Sequence, residues 1–181
     1  MPIKWFNACK MVADKEAEIE SLKQKAIAGD VDRQFQLGMH YACLGMAGAF
    51  PAIKWLKMAA EQGDVDAQVQ LAQTYYQGIS IASDFESAYF WASIALSGVI
   101  KQPPADGNEQ HKQKDIQGVQ SFKDHALSRI SNEARTEIQK RIDGWKPSSN
   151  VPIPPRRNKG NLHRFLGCPQ TCGTGTTYDG P

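Results

Sequence analysis

Cysteine is scarce in this chain of 181 residues: Cys9, Cys43, Cys168 and Cys172 are too few and too unevenly spread for a disulfide framework. A reducing compartment is therefore expected. No segment approaches the roughly 18 consecutive apolar residues that a membrane helix needs, and the mean hydropathy is -0.48, so no transmembrane segment is expected. Met1–Glu20 lacks the apolar core of about 7 to 15 residues that a secretory signal carries and runs into alternating acids and lysines from Asp14 to Lys25, which points to a cytoplasmic location.

An excess of one charge is also missing, since 21 lysines and arginines face 19 acids. The balance is uneven along the chain, however. Residues 147–181 hold Arg156, Arg157, Lys159 and Arg164 against Asp179, four minus one, so they carry +3; with a total of +2 the remainder carries -1. A near-neutral body argues against nucleic-acid binding by a basic face. The run Gly173–Thr177 lacks the lysine and following helix of a phosphate loop, and His163, Cys168 and Cys172 fall one ligand short of a structural zinc set. No metal or cofactor is expected.

What the sequence does contain is a repeat. Gly29-Asp30-Val31-Asp32-Arg33-Gln34-Phe35-Gln36-Leu37 returns as Gly63-Asp64-Val65-Asp66-Ala67-Gln68-Val69-Gln70-Leu71, with two of nine positions changed at an offset of 34. Tyr41 returns as Tyr75, and Ala52, Trp55 and Ala59 return as Ala88, Trp91 and Ala95 at an offset of 36, so the second copy holds two extra residues in its internal loop. Within each copy the apolar residues fall at steps of three and four, which gives two helices per copy. Gly45, Gly48 and Pro51 break the first copy, and Gly78 with Ser83-Asp84 breaks the second. Small residues such as Gly38, Ala67 and Ala92 allow close helix approach, and Trp55 and Trp91 are expected in the core. The acid pairs Asp30/Asp32 and Asp64/Asp66 stand at helix starts, where carboxylates cap free amides and favour the dipole.

These residues resemble the Sel-one-like repeat, a branch of the tetratricopeptide superfamily. The first copy matches its pattern through Ala26, Gly29, Asp30, Gln34, Leu37, Gly38, Tyr41, Gly45, Ala52, Trp55, Ala59 and Ala60. The second matches through Ala60, Gly63, Asp64, Ala67, Gln68, Leu71, Tyr75, Gly78, Asp84, Ala88, Trp91 and Ala95. Arg33 in place of the small alanine, and Ala72 in place of the glycine after the leucine, depart from it. The resemblance implies an all-α fold, a short right-handed α/α solenoid with helical caps, and a bacterial adaptor rather than an enzyme.

Residues 1–25 then form an N-terminal capping region with Ile19, Leu22 and Ala26 as its stripe, and residues 26–98 hold the two repeats. Residues 99–147 form a C-terminal helical cap, with Ile116, Val119, Phe122, Ala126 and Ile130 on one helix and Ala134, Ile138, Ile142 and Trp145 on the next, which Ser131 caps. Residues 148–181, rich in proline and glycine, read as a disordered or loosely draped basic tail.

In tetratricopeptide-like arrays the first helix of each pair lines the inner curve. The resemblance places Asp32, Phe35, Met39, Ala42 and Cys43 there in the first copy, and Asp66, Val69, Gln73, Tyr76 and Gln77 in the second. Steps of three and four independently put each set on one face. That mixture of apolar and polar side chains suits a groove receiving a peptide or helix of another protein, in signalling, regulation or toxin neutralisation. The competing arrangement has the C-terminal helices or the tail folding back to fill the face. An enzymatic alternative is the cysteine-rich Sel-one-like type proposed as penicillin-binding hydrolases, although those members carry a cysteine pair per repeat. His40 and Cys43, three apart, are the nearest approach to a nucleophile pair. A further alternative is that the basic tail tethers the domain to an anionic surface.

Overall fold

Two glycines set the repeat. Gly29 and Gly63 take φ of +95° and +101°, a left-handed region where a Cβ is strained, and each is followed by an aspartate that caps the next helix. The N–H of Gly29 bonds the carbonyl of Ala26 and that of Asp30 bonds Lys25; Gly63 and Asp64 repeat this on Ala60 and Ala59. The Asp30 and Asp64 carboxylates then accept from the N–H groups of Arg33 and Ala67 at 3.1 and 2.9 Å. One dipeptide thus stops one helix and starts the next.

The computed structural model describes residues 16–78, 82–148 and 154–157. All regular structure among them is helical. Helix α1 covers residues 16–27. It is followed by α2 (Val31–Ala42), a 3-10 turn (Gly45–Gly48), α3 (Ala49–Glu61), α4 (Val65–Gln77), α5 (Phe85–Lys101), α6 (Glu109–Leu127) and α7 (Asn132–Asp143). Helices α2 with α3, and α4 with α5, form the two repeat pairs; α3 packs on α4, α5 on α6, and α7 rests on α5. This neighbour-on-neighbour stacking is an α/α solenoid closed by α6 and α7.

Small residues permit the approach. A Cβ at Gly38 would stand 2.7 Å from Cγ of Leu56, and one at Gly98 would stand 2.4 Å from Cγ2 of Val65. The core shared by the pairs holds Leu56 from the first and Ala67, Leu71, Trp91, Ala92 and Val99 from the second. Trp55 departs from its equivalent Trp91: it is only half-buried, beside Lys54. Pro51 lies in the first turn of α3 rather than before it, a position where its missing N–H costs no helix bond. The expected caps form, with Ser131 accepting from Ala134 at 3.2 Å and Gly144 ending α7.

A second repeated device joins successive pairs. Gln34, 1% exposed, donates to the carbonyl of Ala26 at 3.0 Å, and Gln68, 2% exposed, donates to that of Ala60 at 3.1 Å. Each amide reaches back to the C-terminal end of the preceding helix, where carbonyls lack helical partners. Replacing Gln68 by leucine removes this bond while keeping the volume, and should lower unfolding stability by about 1 kcal/mol in a urea titration; an unchanged midpoint contradicts the role.

Candidate functional site

The face expected to line the inner curve is covered by a segment from outside the repeats. Pro154–Arg157 lies across the starts of α2 and α4 in non-regular backbone and inserts two arginines among acids from three helices. The Arg157 guanidinium holds Asp64 with two nitrogens, Nη1 to Oδ1 at 3.0 Å and Nη2 to Oδ2 at 2.6 Å. Its Nε donates to Oδ1 of Asp32 at 2.8 Å. The same plane sits 4.0 Å from the ring centroid of Phe35, a cation–π contact. The Arg157 backbone N–H donates to Oδ2 of Asp66 at 2.7 Å. Arg156 bridges onward, with Nε on Asp66 at 3.0 Å and Nη1 on Asp115 of α6 at 3.0 Å.

These are not exposed surface pairs. The Arg156 and Asp64 side chains are 5% and 1% exposed, so the charges are largely out of water and their pairing carries weight. Burial pushes the Asp64 carboxyl above its ordinary pKa of 3.8, while the Arg157 hydrogen bond and charge pull it back down. Burial of Arg157 works against its own charge, yet Asp64 and then Asp32 more than offset this and its pKa is raised. Farther back along the chain, the Ser148 N–H donates to the carbonyl of Glu61 at 2.7 Å, so residue 148 already lies against the end of α3.

The residues expected on the inner face separate into groups. Asp32, Phe35 and Asp66 come together, beneath the arginines; Phe35 is 1% exposed and not a free apolar surface. Tyr76 is covered by the C-terminal cap, its ring lying 5.7 Å from Phe122 and its hydroxyl 3.3 Å from Nδ1 of His125. Met39, Val69 and Gln73 are half-buried, and Gln77 is exposed. Cys43 is half-buried and disulfide-bonded. That corrects the expectation that the cysteines stay reduced; the other three lie outside the described residues. A disulfide sulfur supplies no thiolate, so His40 and Cys43 do not form a nucleophile pair.

The described residues hold no cluster of three metal-ligating side chains. His163, Cys168 and Cys172, and the Gly173–Thr177 run, lie outside them. No described helix is long and apolar enough to cross a membrane. Arg156 and Arg157 were missed by sequence reasoning as site residues, because a proline-rich segment has no periodicity to place it. The signal was the charge asymmetry, together with a second acid at Asp32 and Asp66 that capping by Asp30 and Asp64 leaves unexplained.

The chain matches no protein-family model, and no curated protein is similar to it. Among solved structures it is similar to a protective antigen present in uropathogenic Escherichia coli strains, described as displaying an SLR fold. The identity is 25%, the match covers 76% of this chain, and the TM-score is 0.37. The chain spans 30% of that protein's length. At that TM-score the superposition carries no argument, and the solenoid assignment stands on the helix pairs themselves. Their architecture is the one implied by the Sel-one-like resemblance.

Removing Arg157 leaves Asp64 buried without its partner. Arg157→Ala should lower stability at pH 7 by about 3 kcal/mol. The Asp64 pKa, already raised, rises further without the arginine. Its ionised form is the one that weakens the variant, so the deficit should narrow as pH falls from 7 toward 4, through the raised folded value. Thermal melts of both proteins across that range test this; a deficit that is absent, or constant with pH, contradicts it.

Proposed function

We propose that this helical repeat protein is an adaptor that binds a segment of another protein on the inner face of its array. The supporting observation is the occupied acidic face itself: it accommodates a non-regular segment from outside the repeats through both side-chain and backbone contacts. Extended-peptide recognition by a modular domain uses the same combination.

On this reading the partner contacts Asp32 and Asp66, then runs toward Met39, Gln73 and Gln77, with Val69 as a half-buried wall. Phe35 serves as the floor on which a guanidinium stacks, and Tyr76 as a support that fixes α4 against α6. Cys43 contributes position rather than reactivity. No observation favours the hydrolase alternative, since its nearest candidate nucleophile is in a disulfide. The same disulfide weighs against the cytoplasmic placement expected from the sequence, because such bonds persist mainly in oxidising compartments. Tethering to an anionic surface loses two of its cations, because Arg156 and Arg157 are engaged in the clamp.

The test truncates side chains that leave the clamp intact. A variant with Met39→Ala, Gln73→Ala and Gln77→Ala should retain its helical circular dichroism and lose, by tenfold or more, the partner that the unmodified chain retains in a crosslinked pull-down read by mass spectrometry. Equal recovery of the same proteins by both would remove the inner face as the binding surface.

A further inference from the structure

The clamp differs from a structural ion pair in what it recognises. It reads a sequence, two consecutive arginines behind two prolines, and it reads main chain as well as side chain through the Arg157 N–H on Asp66. Pro154 and Pro155 lack N–H groups and favour extended backbone, so the approach to the site leaves no donor from those residues unpaired. Carboxylates engage Arg157 at its Nε edge and at both terminal nitrogens, while the Phe35 ring takes one face. A lysine ammonium has neither the fork nor the plane for this arrangement. Each repeat supplies an equivalent acid, Asp32 and Asp66, to one occupant.

We infer that the inner face is a receptor for an extended segment carrying two consecutive arginines. The chain's own Pro154–Arg157 is its resident ligand, and the adaptor's partner presents such a segment in its place. This rests on the inner-face reading above and names the chemistry of its partner. The resident segment competes at the high effective concentration of a tethered ligand, so exchange requires a partner sequence that binds more strongly than the chain's own.

The experiment uses the full chain, the full chain with Arg156→Ala and Arg157→Ala, and a labelled synthetic peptide of residues 151–159 as the probe, followed by fluorescence polarisation at near-physiological salt. The double variant, its own ligand removed, should bind the peptide at least tenfold more tightly than the unmodified chain. Adding Asp66→Asn, or replacing both peptide arginines by lysine, should weaken that binding at least tenfold. If the double variant loses helicity, Arg157→Lys, which keeps a cation beside Asp64, replaces it in the same titration. No peptide binding by a helical variant, or equal binding of the lysine peptide, overturns the inference. Either result leaves the test at Met39, Gln73 and Gln77 standing; conversely, peptide binding without partner capture upholds the receptor and removes the adaptor reading.

Discussion

The carboxylate of Asp64 does two jobs, and the site depends on its doing both. One oxygen caps α4 by accepting from the Ala67 N–H, which fixes where the second repeat begins. The same carboxylate takes the fork of Arg157, ninety-three residues away in sequence, which fixes the segment 154–157 on the array. Buried as it is, an ionised Asp64 without a cation would be costly, and an arginine there without acids equally so. The start of the second repeat and the segment 154–157 are thus held together by a mutual requirement.

Around this point the repeat supplies everything else by duplication. The Gly-Asp turn, the glutamine reaching back to the previous helix, and the small residues at helix contacts recur in both copies and position two equivalent acids, Asp32 and Asp66, on one face. The copies then diverge in use. Phe35 provides an aromatic floor where Val69 provides only a wall, and Tyr76 is recruited by the C-terminal cap through Phe122 and His125. A symmetric scaffold becomes an asymmetric site through three or four side chains.

The scaffold was legible in the sequence because local rules write it: helical spacing of Leu37 and Tyr41, capping by Asp30, Asp64 and Ser131, and breaks at Gly45 and Gly78. Helical steps of three put Asp32 and Phe35 on one side of α2, and both lie with Asp66 beneath the arginines. That the tail or the C-terminal helices could cover this surface was readable as an alternative, but which residues would hold the tail there was not. Pairings such as Arg157 with Asp32 span more than a hundred residues, and no periodicity encodes them. Trp55 misled as well, since it is half-buried beside Lys54 while its equivalent Trp91 is buried. The Cys43 disulfide could not be read from spacing, because pairing follows spatial approach.

Asp64 and Arg157 form one energetic unit linking the second repeat to the returning segment. A double-mutant cycle with Asp64→Ala and Arg157→Ala, measured by urea unfolding at pH 7, isolates that coupling. A favourable coupling energy of about 2 to 3 kcal/mol is expected; two single losses that simply add would show that the segment lies on the array without being held by it.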